Sequence, residues 1–125
     1  MRNYIGALLL TAIAAQAAHA NTTASYYADK FNGRKTASGE VFSNQGMTCA
    51  LNNYALGTHV EVTNVKTGQS IICKVNDRIG KKGRIDLSKK AFSQLAPLSQ
   101  GLAKVSVQPV SKQKADEKIS LAYSE

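Results

Sequence analysis

Apolar and polar residues alternate in several short, separated runs, and this alternation predicts a β protein. In His59-Val60-Glu61-Val62-Thr63-Asn64-Val65 the valines recur at every second position, so one face turns to a core and the other to solvent. Lys66-Thr67-Gly68-Gln69 reads as a hairpin turn, and Ser70-Ile71-Ile72-Cys73-Lys74-Val75 as the returning, most apolar strand. Ala24-Ser25-Tyr26-Tyr27-Ala28 forms a first strand and Leu102-Ala103-Lys104-Val105-Ser106-Val107 a last one. Val41-Phe42 begins another short strand, while Thr48-Cys49-Ala50-Leu51 fits a helical turn and a strand equally well. Residues 31–40 are loop-like, Leu56-Gly57-Thr58 is a turn, and residues 88–95 make one short helix with Leu87, Ala91 and Leu95 inward. Short strands, glycine turns and one brief helix predict a small β-barrel, because closing the sheet removes edges that a domain this small would struggle to protect.

The two ends change the picture. Arg2, the apolar run Ile5 to Ala15 and the small-x-small Ala18-His19-Ala20 predict a secretory signal over residues 1–20, cleaved after Ala20. No cysteine follows that run, so no lipid anchor at a new N-terminal cysteine is expected, and the protein is placed in the periplasm or outside the cell. Residues 21–110 form one domain, and 111–125 a charged tail poor in large apolar residues. Without Arg2, 15 Lys and Arg face 8 Asp and Glu, a net charge of +7. In an exported chain that charge points to an anionic surface or polymer, and no helix-turn-helix, zinc-finger or RNA-binding pattern accompanies it to support nucleic acid.

The two cysteines, Cys49 and Cys73, predict one disulfide in an exported protein. It closes a loop of about 25 residues, worth on the order of 3 kcal/mol. The competing reading, a thiol nucleophile with His59 as base, needs a free thiolate that an oxidising compartment disfavours. Two cysteines and one histidine beyond the signal do not complete a tetrahedral zinc site, and no metal or other cofactor is expected.

Candidate chemistry gathers in residues 74–88. The segment leaves a buried strand at Asp77, runs through a basic loop marked by Gly80 and Gly83, and closes on Asp86-Leu87-Ser88, which reads as a helix start. Asp77 and Asp86 bracket Arg78, Lys81, Lys82 and Arg84. A carboxylate at a strand end is held firmly yet reachable, as a catalytic or binding acid must be. A purely structural reading stands beside this one: Asp86 or Ser88 caps the helix, and Asp77 pairs with Arg78 or Arg84.

Taken in order, Ala24-Ser25-Tyr26-Tyr27, Gly33-Arg34-Lys35-Thr36-Ala37-Ser38-Gly39-Glu40-Val41-Phe42, Leu56-Gly57-Thr58, Val60-Glu61-Val62-Thr63-Asn64, Val75-Asn76-Asp77-Arg78 and Gly83-Arg84-Ile85-Asp86-Leu87-Ser88 resemble the rare lipoprotein A family over roughly Thr23 to Val107. The resemblance implies a mainly β fold, a six-stranded double-psi β-barrel with one or two short helices. It implies a peptidoglycan lytic transglycosylase that favours glycan strands stripped of stem peptides. Such an enzyme breaks the bond after a muramic acid residue without water. An acid protonates the leaving oxygen, and a base helps the sugar's 6-hydroxyl close a 1,6-anhydro ring. One carboxyl can serve both steps in turn. Carried over residue by residue, Asp77 is the acid/base, Glu40 a second or positioning carboxylate, and Asp86 a supporting group. The family's histidine falls on Leu51, which cannot transfer a proton, and the usual Gly-Pro-Phe after the arginine is replaced by Ile79-Gly80.

A second resemblance joins Cys49-Ala50-Leu51-Asn52, Asp86-Leu87-Ser88, Ala91-Phe92 and Leu95-Ala96-Pro97-Leu98-Ser99-Gln100-Gly101 to the first domain of expansins. It implies a barrel that binds or loosens wall glycan without cutting, with Asp86 as the important carboxylate. In either case Tyr26, Tyr27, Thr36 and Arg78 are the candidate glycan-binding side chains, since flat aromatic faces with polar rims suit sugar rings. The expected partner is the peptidoglycan glycan strand, and the expected state is a monomer.

Overall fold

The computed structural model describes residues 19–111 together with 116, 117, 120 and 121. Residues 1–18 of the predicted signal over 1–20 and most of the predicted tail lie outside the described residues. The chain folds as β1 (His19–Tyr26), a 3-10 turn at Asp29–Phe31, β2 (Thr48–Ala50), β3 (His59–Asn64), β4 (Ser70–Asp77), β5 (Arg84–Leu87), α1 (Lys89–Ser93), a 3-10 turn at Leu98–Gln100 and β6 (Ala103–Val110). The six strands close into a barrel in the order β1-β5-β2-β4-β3-β6, with β6 pairing back onto β1. The pairs β1/β5 and β2/β4 are parallel and the rest antiparallel. This is the predicted double-psi β-barrel.

Alternation drives the closure. Val60 and Val62 of β3, Ile71, Cys73 and Val75 of β4, Ile85 and Leu87 of β5 and Val105 and Val107 of β6 all point into one core. Phe92 and Leu95, from α1 and the turn after it, plug it and are essentially unexposed. Each such side chain contributes roughly 1.5–3 kcal/mol by leaving water. Cys49 on β2 and Cys73 on β4 are buried and joined as the predicted disulfide, with Cα atoms 5.9 Å apart.

Two local expectations are corrected and two open alternatives are decided. Residues 48–50 are a strand, not a helical turn, because β4 and β5 pair with them on both sides. Val41 makes only an isolated bridge with Lys35, a tight local turn rather than a strand. Asp86 does not start a helix. It lies in β5, between Ser25 of β1 and Ala50 of β2. The cap is Ser88, whose Oγ accepts from the Ala91 N–H at 3.2 Å and donates to the Gly46 carbonyl at 2.6 Å.

Candidate active-site groove

The pairing register lays one cross-strand row over the outside of the barrel: Ser25 on β1, Asp86 on β5, Ala50 on β2 and Asp77 on β4. The two carboxyls sequence reasoning singled out thus stand on strands that flank a single intervening one. The side chain between them is alanine, so nothing bulky separates them. Tyr27 follows Ser25 by two positions on the same face, and its hydroxyl donates to Asp77 Oδ2 at 2.7 Å.

Asp77 is tightly held. Its Oδ1 accepts from the backbone N–H of Ala37 and of Arg78, each at 2.9 Å. A carboxylate has about four acceptor sites, so three donors leave one, on Oδ2 beside the Tyr27 hydroxyl. The Ala37 contact depends on the turn Thr36–Glu40, in which Gly39 adopts φ 92° and donates to the Thr36 carbonyl. A residue with a Cβ would be strained there. Tyr27 is itself nearly buried, stacked on Phe42 with ring centroids 4.1 Å apart and edge-on to Phe31. Burial first, then the bond to Asp77 and the nearby negative charges, push its phenol pKa far above the ordinary 10.0, so it remains a donor.

Asp86 has different surroundings. Its carboxyl is half-buried and accepts one bond, from the Ser25 hydroxyl at 3.1 Å. Burial pushes its pKa above the usual carboxylate value of 3.8, the charge of Asp77 adds to this, and Ser25 and Arg84 oppose it. Its surroundings thus favour the protonated form more than water does.

The remaining predicted residues divide. Glu40 is outside the row: its Oε2 meets Lys74 Nζ at 2.5 Å and its Oε1 accepts from Asn76 Nδ2 at 3.3 Å. The Lys74 bond leads in holding the Glu40 carboxyl below its usual value. Thr36 is nearly buried and bonds within its own turn, to the Glu40 carbonyl and Ser38 Oγ, each at 2.9 Å. Arg78 turns its guanidinium onto the carbonyls of Leu51 and Tyr54, at 2.7 and 2.6 Å, and so ties the loop after β2 to the end of β4. Asn52 adds a reciprocal clamp with the backbone of Ile79. Tyr26 faces the other way, its hydroxyl donating to the Leu98 carbonyl at 2.9 Å and its ring edge-on to Phe92 at 5.0 Å. Leu51 is buried in the main core.

Sequence reasoning missed Ser25 and Phe31. Alternation from Tyr27 places Ser25 on the same face, and that signal was available. Phe31 had none: its half-buried ring reaches Tyr27 only through the 3-10 turn. Among the described residues, no three His, Cys, Asp or Glu side chains gather as a metal-binding set, and no helix is long and apolar enough to cross a membrane.

A closed, mixed six-stranded barrel with an acidic row across its outer face defines a double-psi β-barrel protein. The chain belongs to the lytic transglycolase family, whose model matches residues 19–107. Over 86 residues it is 45% identical to the probable endolytic peptidoglycan transglycosylase RlpA of Treponema pallidum, a match covering 67% of this chain and 27% of that protein. Over 89 residues it is 39% identical to the endolytic peptidoglycan transglycosylase RlpA of Neisseria meningitidis serogroup B, covering 70% of this chain and 37% of that protein. The chain thus spans well under half the length of these two relatives. Among solved structures it is similar to a Streptomyces papain inhibitor, with a TM-score of 0.61 and 28% identity over 73% of this chain and 93% of that one. The Clavibacter michiganensis expansin shares the fold, with a TM-score of 0.57 and 24% identity over 73% of this chain and 50% of that one.

Proposed function

We propose that the chain is exported after loss of residues 1–20 and that its barrel, residues 21–110, cleaves peptidoglycan glycan strands to 1,6-anhydro products. The observation that carries this is the row Ser25–Asp86–Ala50–Asp77, in which two carboxyls with unlike hydrogen-bond partners lie on one cross-strand row. Asp86 holds the proton and gives it to the oxygen leaving C1 of the muramic acid residue. The free acceptor site of Asp77 Oδ2 takes the proton of the 6-hydroxyl, whose oxygen bonds to C1. One C–O bond breaks, one forms, and no water is consumed. The proton gained by Asp77 then replaces the one lost by Asp86. Unlike surroundings that set two carboxyls apart are the usual mark of an acid and base pair. Tyr27 holds Asp77 in place, and Glu40, paired with Lys74, shapes the turn that supplies the Ala37 donor.

The test is incubation of the protein lacking residues 1–20 with stripped glycan strands, read by mass spectrometry for anhydro-ended fragments. Asp77→Asn and Asp86→Asn should each lower product at least about 100-fold, the usual scale of acid–base catalysis. A second reading, glycan binding or loosening without cleavage, is favoured by Leu51 in the histidine's place. Retained strand binding with no anhydro fragments would select it.

A further inference from the structure

We infer that Asn76 is a positioning residue for Asp77: it fills a β-bulge that turns that carboxyl onto the acidic row, and it anchors the turn that holds the carboxyl there; this rests on the reading of the chain as glycan-cleaving. Ile71, Cys73 and Val75 of β4 belong to the core at every second position. Continued alternation would send Asp77 inward as well. The register prevents this. Cys49 pairs with Val75 and Ala50 with Asp77, so Asn76 is an extra residue with no partner on β2. A bulge of this kind re-aims the side chain beside it. Asn76 and Asp77 accordingly reach the same turn, Thr36–Glu40. Asn76 Nδ2 donates to Glu40 Oε1 at 3.3 Å, and the Ala37 N–H donates to Asp77 Oδ1 at 2.9 Å.

Asn76 grips that turn twice. Besides the bond from its amide to Glu40, its backbone carbonyl accepts from the Ser38 N–H at 3.0 Å. Anchors at Ser38 and Glu40 thus fix the segment whose Ala37 N–H is one of the three donors to Asp77. The other half of the amide is unpaired. Asn76 is 3% exposed, and its Oδ1 is the one buried side-chain polar atom among the described residues without a hydrogen-bond partner. Turning the amide over would set its oxygen against the Glu40 carboxylate, so the contact with Glu40 assigns the nitrogen and leaves the oxygen as the orphan. An unpaired buried acceptor costs stability. Leucine has the same branched outline without that cost. An asparagine that burdens the fold while tying the turn around the proposed base serves the site rather than stability.

The experiment compares wild type, Asn76→Leu, Glu40→Ala and Glu40→Gln. It reads amide hydrogen exchange at Ala37, thermal midpoint, and kcat and KM for anhydro product from stripped strands. In Asn76→Leu the Ala37 amide should exchange about fivefold faster, the scale of one lost hydrogen bond, while the amides of β3 and β6 keep their wild-type rates. Its midpoint should equal or exceed that of wild type. Its kcat should fall roughly 10- to 100-fold with KM unchanged, the cost of a displaced reacting group. Glu40→Ala should reproduce the faster exchange and the lower kcat. Glu40→Gln keeps an acceptor for the amide and should restore both. A lower midpoint in Asn76→Leu with faster exchange in β3 and β6 makes Asn76 a residue of the fold alone and overturns the inference. So does an Ala37 amide, or a kcat, that does not move. A wild type that makes no anhydro product overturns the cleavage reading; the Ala37 exchange rates, which need no activity, decide the positioning separately.

Discussion

Among the described residues the hydroxyl of Tyr27 is the one side-chain donor to Asp77, so Tyr27→Phe isolates what holds the proposed base. The substitution keeps the ring, and with it the stack on Phe42 and the edge contact with Phe31. It removes one 2.7 Å bond to a carboxyl, from a tyrosine only 8% exposed. A hydrogen bond to a charged partner contributes roughly 1.5–3 kcal/mol, and Asp77 keeps its two backbone donors, so the lower end applies, about 1.5 kcal/mol. For a domain near this size that is a fall in thermal midpoint of roughly 6–12 °C. The sign with pH follows from linkage. Folding raises the pKa of the phenol above 10.0, so the folded state keeps a proton that the unfolded state sheds. That stabilisation is complete below pH 10 and is lost as pH rises through the folded value. Wild type should therefore lose midpoint above pH 10 more steeply than the variant. Calorimetry of both proteins from neutral to alkaline pH measures each effect. An unchanged midpoint at neutral pH together with parallel alkaline limbs would refute the role given to this bond.

Three further outcomes are expected. Burial raises the Asp86 pKa, so the folded state binds its proton more tightly than the unfolded one, and the stability this adds below pH 3.8 is lost as pH rises through the raised value. Asp86→Asn should then be more stable than wild type at neutral pH, the difference shrinking as pH falls toward about 4; parallel midpoint-against-pH curves would count against it. Cys49→Ala/Cys73→Ala opens a loop with a sequence separation of 24, and should cost about 3.5 kcal/mol in a urea titration; a loss under about 1 kcal/mol would deny the cross-link that role. Glu40→Gln breaks an ion pair whose side chains are 45% and 35% exposed, and should change stability by less than about 1 kcal/mol while leaving anhydro product; loss of product at an unchanged midpoint would return Glu40 to the chemistry.

The sequence made some elements plain and hid others, for identifiable reasons. The β3–β4 hairpin was legible because Val60, Val62, Ile71, Cys73 and Val75 alternate over enough positions to leave no other period. The strand β5 was not. Arg84-Ile85-Asp86-Leu87 alternates over only four residues and follows a Lys- and Gly-rich turn. Its extended state is imposed by parallel pairing with β1 and antiparallel pairing with β2, neither of which is local. For the same reason Asp86 looked like a cap, one turn of reasoning away from Ser88. Asp77 and Asp86 were legible as a pair because they bracket the basic, glycine-marked loop after β4. The partners that set them apart were not, since Tyr27 lies 50 residues from Asp77 and Ser25 lies 61 from Asp86. Of two adjacent tyrosines, alternation sends one outward, but it does not say which. The Tyr26–Phe92 contact, made only once α1 caps the barrel, decides it.

The same alternation bears on Leu51. Ala50 belongs with Tyr27 and Phe42, on the side of the acidic row, while Leu51 packs with Val75, Leu87 and the rest of the main core. The backbone of Leu51 serves the acidic row all the same. Its N–H donates to the Asp77 carbonyl at 3.1 Å and its own carbonyl receives the Arg78 guanidinium. What position 51 supplies is therefore a fixed end of β2, and a side chain that fills the core does this without any proton to give. A buried imidazole there would have to find a hydrogen-bond partner among apolar neighbours or be destabilising. A leucine at this position offers no titratable group, and the register and donors of the pair are set by other residues. In the proposed mechanism, proton transfer rests on the contrast between Asp86, half-buried with one donor, and Asp77, held by three. That contrast arises from register and burial, and neither depends on the residue at position 51.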